Sequence, residues 1–102
     1  MANISVVGRI VSDDIELKIS ANNRPYLRFD LAERTGKGAY ARTQYYQVVA
    51  FGTIASQFAK RGLCRGALIS VEGTLELEDY LKRDGWTRDK RLKVIAAVSP
   101  AL

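Results

Sequence analysis

The stretch Gln44-Tyr45-Tyr46-Gln47-Val48-Val49-Ala50-Phe51-Gly52 constrains the fold more than any other part of the chain. Aromatic and β-branched residues fill it and a glycine bounds it, a composition that favours a strand. Side chains alternate across a strand. Tyr45, Gln47, Val49 and Phe51 therefore share one face, and Tyr46, Val48 and Ala50 share the other. Apolar bulk on both faces predicts a central strand. One face packs a core, and the other carries a ring at each end that a flat ligand can use.

The flanking segments read as further strands. Ile4 to Val11 is a first one, with Gly8 inside it predicting a bulge or a bend. Ile15 to Ile19 alternates apolar and charged, as a half-exposed strand does. Tyr26 to Glu33 puts Leu27, Phe29 and Leu31 toward the core and Arg28 and Asp30 outward. Residues 34–42 form a loop or a long hairpin tip. After Gly52 the period changes: Ile54 and Phe58, and Ala55 and Ala59, recur at helical spacing, Thr53 is placed to cap, and Gly62 to terminate. This predicts a helix of about two turns. Ala67 to Leu81 reads as a long strand with Gly73 inside it, residues 82–91 as a turn region around Asp84-Gly85, and Leu92 to Val98 as the closing strand.

Strands interrupted once, by a short helix after the strand at 44–51, with glycines where a small sheet must bend, predict an all-β OB-fold, a five-stranded Greek-key barrel. The helix would plug the barrel with Ile54 and Phe58. The 102 residues fit one domain, here residues 1–98 with a short tail at 99–102. A domain of this size gains from self-association.

Composition narrows the function. Lys and Arg number 16 against 11 Asp and Glu, a net charge of +5 that suits a polyanionic partner. Histidine is absent and Cys64 is the only cysteine. The commonest general base is therefore missing, zinc lacks its usual ligands, and no internal disulfide can form. No metal, cofactor or catalytic residue is expected. Asp13-Asp14 lies in a turn, where adjacent acids cap or solvate. No apolar run is long enough to cross a membrane and the N-terminus has no signal-peptide pattern, so a cytoplasmic setting is expected.

Several stretches, in this order and spacing, resemble the bacterial-type single-stranded DNA-binding proteins: Asn3 to Arg9, Leu27 to Ala32, Tyr45 to Gly52, the helix ending in Lys60-Arg61-Gly62, and Val71 to Leu75. The resemblance covers nearly the whole chain. It implies an OB-fold that assembles as a homodimer or homotetramer and wraps single strands without reading sequence. Tyr45 stands where the family has a stacking tryptophan, Phe51 where it has a stacking phenylalanine, and a further stacking ring lies near Tyr80. Ile4, Val6 and Tyr46 fall at a contact between protomers, and Tyr46 replaces a histidine common in the family, which puts the tetramer in question. The loop around Tyr40 is shorter than in common members. The chain also lacks their disordered linker and acidic tip. It is either truncated or a tail-less relative, such as the primosomal replication protein or a small phage- or plasmid-borne form.

Binding single strands takes rings for bases and cations for phosphates. The second hairpin tip holds Arg34, Lys37 and Arg42 with Tyr40. The last hairpin holds Lys82, Arg83, Arg88, Lys90, Arg91 and Lys93 with Trp86, against only Asp84 and Asp89. Arg9 and Arg28 either line the groove or pair with Asp30. From the residues alone, Tyr45 and Phe51 are as readily core or interface rings as stacking ones, and Trp86 either opens to nucleic acid or folds back on Leu81. The expected role is single-strand DNA binding in replication, recombination or plasmid and phage DNA maintenance. The competing readings are a replication-restart adaptor that contacts replication proteins, a single-stranded RNA-binding module, and an oligosaccharide-binding or enzymatic OB domain.

Overall fold

A computed structural model describes residues 2–81 and 88–96, leaving aside the side chains of 78–81 and 88–91. Along these residues run β1 (Ala2–Ile10), β2 (Lys18–Ile19), β3 (Pro25–Thr35), β4 (Arg42–Phe51), α1 (Gly52–Lys60), β5 (Leu68–Leu81) and β6 (Arg88–Ala96). β1 pairs with β5, β5 with β6, β6 runs parallel to β4, β4 pairs with β3, and β3 returns to β1 at Ala32 and Leu31. The ring of five long strands is closed, as the OB-fold expectation requires. β2 hangs on the outer edge of β3.

Two strands differ markedly from the sequence reading. The strand expected at 15–19 shrinks to Lys18–Ile19. Ile15 turns in against the core while Leu17 stays exposed, so the segment reaches β3 only at Lys18. β6 begins at Arg88 rather than Leu92. Main-chain pairing carries the hairpin through charged sequence, and its register sets Glu78 opposite Arg91 and Asp79 opposite Lys90. Residues 34–42 form a hairpin tip, with Thr35 opposite Arg42 and a 3-10 turn at Gly38–Tyr40.

Strand alternation sorts the core as predicted. Leu27, Phe29 and Leu31 of β3 and Tyr46, Val48 and Ala50 of β4 point inward with Val6, Ile10, Ile69, Val71 and Val94. The core ring of Phe58 on α1 lies 5.8 Å from that of Phe29, tilted by 44°, an arrangement favoured over flat stacking. Ile54 packs only partly against the same cluster. Thr53 does not cap the helix. Extended Phe51 leads straight into Gly52, whose φ of +60° turns the chain one residue early, so Thr53 lies inside the first turn. Gly62 ends the helix as expected, its N–H donating to the Ala59 carbonyl at 3.2 Å.

The two strand glycines are not bulges. β1 keeps one register with β5 from Ala2 opposite Leu75 to Arg9 opposite Leu68, straight through Gly8. A Cβ on Gly8 would stand 2.5 Å from the Ala32 carbonyl oxygen. A Cβ on Gly73 would collide with the Ile95 carbonyl oxygen, where β5 passes from β1 to β6. Each glycine lets two backbones approach closely, Gly8 where β1 closes on β3 and Gly73 where β5 meets β6. Gly73→Ala should therefore lose about 3 kcal/mol of stability, read as a lowered urea midpoint at unchanged slope. A wild-type midpoint would refute the tight crossing.

Among the described residues, Tyr46 is the one core residue with a polar tip. Its ring is 8 % exposed, and its hydroxyl donates to Glu33 Oε1 at 3.2 Å. Burial, then the charge of Glu33 and the bond to it, raise the hydroxyl above its ordinary pKa of 10.0. In the native state it stays protonated where the unfolded chain has already ionised, so this contribution is complete below pH 10.0 and drains away above it. Tyr46→Phe should cost about 1 kcal/mol at neutral pH and flatten the alkaline loss of stability. Urea titrations from neutral to alkaline pH would read both effects, and an equally steep decline in the variant would clear Tyr46 of the role.

Candidate nucleic-acid interface

Residues directly opposite in neighbouring strands project to the same side of a sheet. The register therefore lays the outer face of the barrel out in rows. Arg34 stands beside Thr43. Arg9, Ala32 and Tyr45 form the next row across β1, β3 and β4. Asp30, Gln47, Lys93 and Glu76 follow, then Arg28, Val49, Ile95 and Thr74. Lys18, Tyr26 and Phe51 close the face at its far end. Successive rows are about 7 Å apart, so Tyr45 and Phe51 lie about 20 Å from one another along β4.

The two rings meet different surroundings. Tyr45 is 60 % exposed, and the residue opposite it on β3, Ala32, is too small to cover it. Phe51 is half-buried. The Tyr26 ring lies 6.5 Å away, tilted by 34°, and the Arg24 guanidinium carbon sits 5.2 Å over the Phe51 centroid. A cation held over a ring face contributes about 0.5–1 kcal/mol at an exposed site. Between the two rings Val49 is buried, flanked by Arg28 and Ile95.

Cations border this face. Arg9 donates from Nη1 to the Gly66 carbonyl at 3.0 Å. Arg28 is exposed and, among the described residues, makes no hydrogen bond or ion pair, so neither arginine pairs with Asp30. Arg34, Lys37 and Arg42 are exposed around the hairpin tip, where Tyr40 is 87 % exposed. Lys93 is half-buried beside Gln47. Tyr80, Arg88, Lys90 and Arg91 are located by backbone alone, in β5 and β6. Lys82, Arg83 and Trp86 lie outside the described residues. Of the residues expected at a protomer contact, Val6 and Tyr46 point into the core and Ile4 packs partly against it.

Three residues of the face escaped the sequence reading: Lys18, Arg24 and Tyr26. Tyr26 carried a signal, since alternation from Arg28 puts it on the outward side. Arg24 carried none. The turn at Ser20–Arg24, in which the Ser20 N–H donates to the Arg24 carbonyl at 2.8 Å, is what brings it to Phe51. Among the described residues, no three His, Cys, Asp or Glu side chains gather as a metal site would need.

Comparison with known proteins agrees with this architecture. The family model described as the single-strand binding protein family matches residues 1–100. The chain superposes on a small single-stranded DNA-binding protein from Streptomyces coelicolor with a TM-score of 0.79 at 22 % identity, covering 98 % of this chain and 92 % of that one. It superposes on the Plasmodium falciparum SSB, solved in complex with ssDNA, with a TM-score of 0.75 at 15 % identity, covering 99 % and 91 %. No curated protein matches the sequence. At these identities the two structures establish a shared fold.

Proposed function

Because the chain belongs to the single-strand binding protein family, we propose that it binds single-stranded DNA along the outer face of β3 and β4. Bases stack on Tyr45 and Phe51, and Arg9, Arg28 and Arg34 with the hairpin cations neutralise phosphates. The observation that carries this reading is the Tyr45 ring, 60 % exposed on a strand whose other face is sealed in the core. A ring left open in the middle of a sheet face, with arginines on neighbouring strands, meets both requirements of sequence-tolerant single-strand binding. The further cations and rings of the β5–β6 hairpin, Tyr80 and Trp86 among them, would extend the same track. The role that follows is single-strand protection in replication, recombination or plasmid and phage DNA maintenance.

We also infer that the protein self-associates through β1. On one side β1 pairs with β5 throughout, and on the other it meets β3 only at Arg9 and Ile10. The main chain of residues 2–8 thus has no strand partner on that edge among the described residues, and an unpaired edge is a ready template for a second copy. Ile4 would be the side chain nearest such a contact. Light scattering on the eluted protein should report a dimer or tetramer; a monomer at micromolar concentration would refute this.

Titrating labelled oligo-dT, oligo-U and duplex DNA at two salt concentrations tests the main reading. Oligo-dT should bind more tightly than duplex and quench the tyrosine and tryptophan fluorescence, and equal affinity for duplex would reduce the face to a merely basic surface. Tyr45→Ala should weaken oligo-dT binding by about 1–3 kcal/mol with an unchanged melting temperature. Arg28→Ala should make the slope of log K against log salt shallower by about 0.7, one phosphate's worth of released counterions. An unaltered slope would take Arg28 off the phosphate track.

A further inference from the structure

Beside Tyr26 the segment linking β1 to β2 leaves a groove of about 280 Å³, lined by Asp14, Glu16, Lys18, Tyr26 and Arg28. Two carboxylates and two cations share this groove. Among the described residues, none of the four makes a hydrogen bond or an ion pair. The neighbouring acid Asp13 behaves differently, bridging to Arg65 at 2.8 Å. Backbone geometry accounts for part of the separation. Lys18 stands opposite Tyr26 in the β2–β3 ladder, and Arg28 follows Tyr26 on the same face of β3. Asp14 and Glu16 come from the connecting segment instead.

A ligand that satisfies this groove needs a flat body for the ring, an anionic or acceptor group for Lys18 and Arg28, and a donor for the carboxylates. A nucleotide has all three. Ionised carboxylates only accept hydrogen bonds. Cytosine N4 and adenine N6 are amino donors, whereas thymine presents the acceptor O4 at the equivalent edge. The groove also adjoins the proposed track, since the Tyr26 ring lies 6.5 Å from that of Phe51.

We propose that this groove seats one nucleotide of the bound strand, its base against Tyr26, its phosphate by Lys18 and Arg28, and its edge toward Asp14 and Glu16. The site favours bases with an exocyclic amino group over thymine. The inference rests on the single-strand reading above and adds to it a base preference at one position of an otherwise sequence-tolerant track.

Fluorescence anisotropy with oligo(dC) and oligo(dT) of equal length, at neutral pH and one salt concentration, tests it. Both are pyrimidine strands of equal backbone charge, and the bases differ in their hydrogen-bonding edge and in the C5-methyl of thymine. Oligo(dC) should bind about fivefold or more tighter. In the double variant Asp14→Asn, Glu16→Gln that ratio should fall to about one. Both side chains are exposed, so the fold should tolerate the change; should the double variant melt early, Glu16→Gln alone should still lower the ratio. Tight oligo(dT) binding with a wild-type ratio near one would overturn the groove and leave the single-strand reading standing. A preference that survives the double variant would also overturn it, by placing discrimination elsewhere. Failure to bind either strand would remove both readings.

Discussion

At its C-terminal end β1 bonds on both edges at once. The Ile10 N–H donates to the Ala67 carbonyl at 3.0 Å and its carbonyl accepts from the Gly66 N–H at 2.8 Å, while just beyond, the Val11 N–H donates to the Asp30 carbonyl at 3.0 Å. This double pairing turns a strip of strands into a barrel, and it requires β1 and β3 to cross at close range. Gly8, having no Cβ, permits that crossing, and Gly73 does the same where β5 meets β6. Closure then gives the inward residues of every strand one shared interior, which α1 caps with Phe58. Without it, Val6, Ile10 and Leu31 would line an open sheet with nothing over them.

Closure also fixes what the outside can offer. With Tyr46, Val48 and Ala50 committed to the interior, β4 must present Tyr45, Gln47, Val49 and Phe51 outward. Their availability then depends on row neighbours rather than on their own chemistry. Ala32 leaves the Tyr45 ring open, whereas Arg28 and Ile95 bury Val49. At the far end Arg24 and Tyr26 crowd Phe51. One strand thus carries an open ring and a covered one, and the covered one has a cation already positioned over it. Under the proposed reading, a base stacking on Phe51 would have to share or displace that cation, whereas the Tyr45 ring stands exposed.

Much of this was legible before any coordinates. The period-two alternation assigned the core and outer side chains of β3 correctly and divided β4 into the two faces the structure shows, because a closed barrel obeys the pleat along its whole length. The helical spacing of Ile54, Ala55 and Phe58 located α1, and Gly62 marked its end. Segments where backbone pairing departs from hydrophobic pattern were read less well. Arg88 to Arg91 looked like a turn because charged residues carry no strand signal, yet the ladder with β5 runs through them. Ile15 to Leu17 alternated convincingly and still did not pair.

The amino-acid order alone therefore determined the fold class, the inward and outward sides of β3, the division of β4 into two faces, and the basic, aromatic character of the loops and of one β4 face. These are properties of nearest neighbours along the chain, and periodicity records them. Only the tertiary structure decided that Arg9, Ala32 and Tyr45 share a row, that Arg24 reaches Phe51, and that Asp14, Glu16, Lys18 and Arg28 meet around Tyr26 without pairing. Those contacts join residues far apart in sequence, and their register is set by barrel closure, an interaction that no local pattern encodes.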